Sequence, residues 1–122
     1  MINRAAVILK YKAPAVQWIN DADPSQEDQG ISLESVNEES TVYLISDHDA
    51  DSPNALKNWI KLNYEALFEH ELDGWYTDEN LWPKKRGLKL FHEWFEIECH
   101  TVIIDTSENR RRKTTLPVLT TS

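Results

Sequence analysis

Residues 5–11 read Ala-Ala-Val-Ile-Leu-Lys-Tyr (AAVILKY), apolar for five positions before Lys10, and Ala13-Pro14 closes the run. A short, unbroken apolar stretch bounded by a turn signal is the pattern of a strand inside a sheet, whereas a half-solvated strand alternates. The fold is built outward from this first strand. Thr41–Ile45 (TVYLI) predicts a second, because three of its five residues are β-branched and a fourth is aromatic. His100–Asp105 (HTVIID) predicts a third, with Val102, Ile103 and Ile104 continuously apolar and so central or buried on both sides.

Helical spacing fills the intervals. Pro14 suits a first helical turn, and Val16, Trp18 and Ile19 follow before Asp21, Asp23 and Pro24 end a helix of about two turns. Ser52-Pro53 reads as a cap followed by a first-turn proline. Leu56, Trp59, Ile60, Tyr64, Leu67 and Phe68 then recur at three- and four-residue intervals, predicting a long helix from Pro53 to Leu72. Asp73-Gly74 is its expected stop, with the glycine left-handed. Leu88, Phe91, Trp94 and Phe95 share one face of a further helix that runs into the third strand. Ile31–Val36 (ISLESV) reads two ways: an alternating strand, or one helical turn capped by Ser32.

This order gives an α+β domain with a three- or four-stranded sheet and helices on one face. With Ile31–Val36 as a strand it approaches the split βαβ arrangement of ferredoxin-like sandwiches, varied by an extra helix. The uncovered sheet face is then a natural homodimer surface.

The 122 residues carry 13 Lys and Arg against 21 Asp and Glu, a net charge of −8. At this length one domain is the default, and ordinary apolar and charged fractions exclude a disordered, collagenous or membrane-spanning chain. The N-terminal apolar run is too short for a spanning helix or a secretory leader, so a cytoplasmic location is expected. Cys99 is the single cysteine, which leaves no intrachain disulfide and no thiolate-rich zinc cage. From Thr106 the chain turns basic and Thr-rich, with Arg110, Arg111, Arg112 and Lys113, and residues 106–122 are expected to form a flexible tail. Residues 1–105 then hold 9 basic and 20 acidic side chains, a net −11. Such a body repels a phosphate backbone, so nucleic acid is a poor partner for it.

Chemistry-bearing residues fall into four groups. Asp47, His48, Asp49 and Asp51 open like a calcium loop, but the sixth position is Ser52 and the twelfth Asn58, where that loop needs Gly and Glu. Capping of the following helix accounts for them, with a lone magnesium as the alternative. His92 and Glu96, four apart, would share a helix face, and with His100 could hold a metal ion in a small metal-dependent enzyme. Surface polarity beside an apolar stripe explains them equally, and Cys99 reads as a small core residue. Trp75, Tyr76 and Trp82 sit with Asp78 and Glu79 in a turn-rich connection, an aromatic and acidic set suited to a basic protein or a cationic small ligand, or equally to folding a loop tryptophan back as a lid on the core. Asn63, His70 and Glu71 fall within or beside the long helix's apolar stripe, facing either solvent or a polar cleft.

Glycine-rich phosphate loops and a GxSxG elbow are absent from the sequence. No cofactor is expected. The reading that remains is a non-enzymatic binding or regulatory module.

Overall fold

β1 spans Arg4–Tyr11, and its alternate residues Ala5, Val7 and Leu9 are sealed inside. The computed structural model describes residues 3–22 and 30–109, so the polar stretch after Asp23 and the Arg110–Ser122 part of the expected tail lie outside it. The elements that follow β1 are α1 (Ala13–Asp21), α2 (Leu33–Val36), β2 (Val42–Ser46), α3 (Pro53–Trp75), α4 (Leu88–Trp94) and β3 (Phe95–His100). The fold is α+β, with a three-stranded antiparallel sheet in the order β2-β1-β3. AAVILKY is indeed the central strand.

Register fixes which side chains meet. Val7 lies opposite Tyr43 on β2 and Cys99 on β3, and Leu9 lies opposite Ile97. This face, completed by Ile45 and Phe95, packs on Ile60, Leu67, Phe68 and Leu72 of α3 and on Phe91 and Trp94 of α4. Phe68 touches the rings of Phe91, Trp94 and Phe95 at centroid distances of 5.5–5.6 Å, edge-on in each case. Edge-to-face contact suits the ring quadrupoles, and each fully buried ring contributes about 1.5–3 kcal/mol by burial alone.

The other sheet face is open. Its rows are Val42, Leu44 and Ser46 on β2, Arg4, Ala6, Ile8 and Lys10 on β1, and Glu96, Glu98 and His100 on β3. Val42 is 52% and Leu44 56% exposed, so the second strand is not buried on both sides.

One open reading is decided and two expectations need correction. Ile31–Val36 is not a strand: Ser32 Oγ accepts from the Ser35 amide in a capping box, and α2 is one helical turn. The third strand is not His100–Asp105. The ladder begins at Phe95, opposite Tyr11, and reaches His100, opposite Ala6. Only Ala5 and Arg4 of β1 lie beyond that point, level with Thr101 and Val102, so Ile103 and Ile104 have no strand residue left to pair with, and Val102 and Ile104 stand 69% and 57% exposed. Phe95, Ile97 and Cys99 point inward while Glu96, Glu98 and His100 point outward, a period-two signal hidden by the helical spacing just before it. Finally, α3 continues through Gly74 to Trp75, and Tyr76 ends it in extended conformation.

Within the expected tail, Thr106–Asn109 form a short 3-10 turn. Among the described residues no helix is long and apolar enough to cross a membrane.

Candidate functional site

Asp47–Ala50 form a 3-10 turn in which Ser46 Oγ accepts from the His48 amide, and Ser52 caps α3 by accepting from Ala55 at 3.0 Å. The stretch is a helix entry. His92 lies on α4 while Glu96 lies on β3, because the helix ends at Trp94, so the shared helix face does not exist. Glu96 and His100 project from the open sheet face about 13 Å apart along the strand, whereas His92 borders an apolar cleft with Leu56, Ile60 and Ile97 on the helical side. Among the described residues no three His, Cys, Asp or Glu side chains converge as a metal site would need. His100 instead contacts Glu98 at 2.6 Å, and this hydrogen bond holds the Glu98 carboxyl below its ordinary range. Cys99 is half-buried, and desolvation pushes its thiol up, away from nucleophilic thiolate.

The aromatic set divides. Tyr76 donates its hydroxyl to the Ile19 carbonyl at 2.5 Å and meets Trp18 edge-on at 5.3 Å. Trp82 is buried, donates to the Tyr76 carbonyl at 2.7 Å, and has Arg86 over its ring at 5.5 Å. Tyr76 fastens the α3–α4 connection onto α1, Trp82 ties the two ends of that connection together, and the chain's own guanidinium already uses the Trp82 face. Asp78 caps a 3-10 turn by accepting from Asn80, and Glu79 is exposed in that turn. Trp75 alone turns away, to the other side of α3.

What Trp75 joins was only half legible in the sequence. Its indole Nε1 donates to the Tyr11 hydroxyl at 2.9 Å, and Tyr11 donates in turn to Glu71 Oε1 at 2.7 Å. Tyr43 donates to Glu71 Oε2, and its hydroxyl lies 2.9 Å from His70 Nδ1. One carboxylate near the end of α3 therefore collects phenols from two neighbouring strands. Desolvation, followed by the charge of Glu71 and the hydrogen bond to it, pushes the Tyr11 phenol well above its usual range. Tyr43 is raised by the same causes, its hydrogen bond to Glu71 ranking ahead of the charge.

This network floors a half-open cavity of about 210 Å³ between Leu9 and Tyr11 of β1, Val36 at the end of α2 with Glu39, Ser40 and Thr41 beyond it, and His70, Glu71, Gly74 and Trp75 of α3. A second cavity of about 380 Å³, lined by Ile31, Ser35, Val36, Glu38, Glu39 and Trp75, shares Val36, Glu39 and Trp75 with it. Asn37 holds the intervening wall. Its side-chain amide accepts from the Tyr11 amide at 2.9 Å and donates to the Tyr11 carbonyl at 3.1 Å, standing in for a strand partner. The resulting groove is lined by three glutamates and one exposed indole, and among the described residues neither Lys nor Arg borders it. The sequence signal was Glu71 at a buried angle of α3; its partners, 60 and 28 residues away, could come only from the folded sheet.

Comparison with family models, with curated proteins and with solved structures finds no match to this chain.

Proposed function

We propose that this domain is a non-enzymatic binding module that receives a cationic side chain of a basic protein segment in the groove between α2 and the C-terminal end of α3. The observation that carries the reading is that Trp75 and Glu39 line both cavities and Glu71 the first, with no Lys or Arg beside them among the described residues. An ammonium or guanidinium group over an indole gains about 0.5–2 kcal/mol, more as water is excluded, and flanking carboxylates add to it. The part of the groove beside Glu71, near 210 Å³, falls below the range of about 300–1,000 Å³ usual for whole small-molecule ligands and suits one inserted side chain, while the adjoining 380 Å³ leaves room for the segment that carries it. The net charge of −8 steers such a partner from a distance. A cytoplasmic setting belongs to the same reading, supported by a half-buried free thiol.

At the level of architecture we place the chain as a ferredoxin-like variant with fewer strands. β2 and β3 both run antiparallel to β1, hence parallel to each other, and α3 and α4 form the crossover between them. That split βαβ connection supports the assignment.

The test is calorimetry with an Arg- and Lys-rich peptide at low and high salt. Binding should weaken with salt, and Trp75→Ala and Glu39→Gln should each reduce affinity by about three- to thirtyfold. Glu79→Gln, outside the groove, should leave affinity unchanged. Binding indifferent to Trp75 and Glu39, or lost on changing Glu79, overturns the assignment of this groove.

A further inference from the structure

Among the described residues, no strand covers the outer edge of β3. Immediately beyond it stand Thr101–Ile104, a sequence of high strand propensity in which exposed Val102 and Ile104 flank half-buried Ile103. An unpaired edge continued by an exposed β-branched run is a template for another strand.

The charges identify the occupant. Glu98 and His100 are two residues apart on one face of β3, with Cys99 between them. If β3 meets its own copy antiparallel about a two-fold through Cys99, Glu98 falls opposite His100 of the partner subunit, and the pair occurs twice. Glu96 then falls opposite the partner's Val102, so the apolar run enters the ladder. Stacking two open faces gives a poorer match. A two-fold along the strands lays Val42 over Glu98 and Leu44 over His100, and one across them through Val7 and Cys99 repeats the Glu98–His100 match only by laying Arg4 on Lys10.

We propose that the chain forms a two-fold dimer by antiparallel pairing of β3 with a second copy, the segment Glu96–Val102 forming the seam of a continuous six-stranded sheet. This surface is separate from the groove, and its test does not depend on ligand binding. An isologous strand pair is closed, so assembly stops at two. Backbone hydrogen bonds supply the affinity, and the opposed Glu98 and His100 set the register.

Sedimentation across a concentration series should give twice the chain mass for the unaltered protein. His100→Glu places Glu opposite Glu at both symmetric positions and should weaken association at least about tenfold. Adding Glu98→Lys to that variant should restore the dimer. Thr101→Pro, in an exposed stretch outside the strand, removes a seam N–H and should give a monomer with an unchanged circular dichroism spectrum. Amide exchange should show protection at residues 96–102 appearing with association. A monomer at every concentration overturns the proposal, as does a dimer indifferent to His100→Glu and Thr101→Pro. Association-linked protection at Val42–Ser46 instead, or a monomer already protected at 96–102, also overturns it.

Discussion

Glu71 shows how one side chain can join distant parts of a chain. It accepts from Tyr11 and Tyr43, so removing its charge should loosen both phenols at once. Glu71→Gln keeps the shape but supplies one acceptor where two were used, which should cost about 1–3 kcal/mol in urea denaturation. The titration has a definite sign. Both phenols ionise higher in the folded state than in the unfolded chain. Their stabilisation is complete below the unfolded value of about 10 and is lost as pH rises above it. The slope is at most about 1.4 kcal/mol per pH unit for Tyr11, and less for the more exposed Tyr43. Ultraviolet titration of the native protein should show two tyrosines ionising late, and in Glu71→Gln they should move down. An alkaline limb that is the same in both proteins would separate Glu71 from this effect. In the sequence, Glu71 stood out only as a polar residue at an apolar angle, and solvent or a cleft satisfied that geometry equally; tertiary pairing chose the cleft.

Elements were legible where one periodicity acted alone. AAVILKY, TVYLI and the Leu56–Phe68 spacing each carry a single pattern, and each became the expected element. Phe91, Trp94 and Phe95 carry two, since Phe95 fits the helical stripe and also starts the inward row of β3. The conflict is resolved by β1, whose Tyr11 end offers a ladder to Phe95 and whose Arg4 end leaves no residue for Ile103 and Ile104. Gly74 teaches the same lesson for helix ends. It lies inside α3, and a methyl group added there meets nothing within 4 Å. Gly74→Ala should therefore stabilise the protein by about 0.5 kcal/mol, read from the urea midpoint at constant slope, through reduced freedom of the unfolded chain. A loss of stability would mean that the helix end requires glycine after all.

For the molecule as a whole, charge is the dominant surface property. The ion pair Arg86–Glu69, at 3.3 Å, lies at the surface and offsets little of the net −8. Self-repulsion among carboxylates should therefore govern the salt response: moderate sodium chloride should raise the melting temperature by screening it. A melting temperature that falls with added salt would show that attractive pairs outweigh the repulsion. The same salt should weaken binding in the groove, so the two responses run in opposite directions.

The placement of β1 between its partners bears on how quickly the fold is reached. Arg4 pairs with Ser46, and Ala6 pairs with His100 near the opposite end of the described chain. Neither ladder can start from a hairpin, so each waits on closure of a long loop, and the rate-limiting search is for the middle strand rather than for any helix. Until β3 arrives, one edge of β1 and the rings of Phe91, Trp94 and Phe95 lack their final neighbours. That interval is when a nascent chain would be most prone to capture by chaperones or by its own copies.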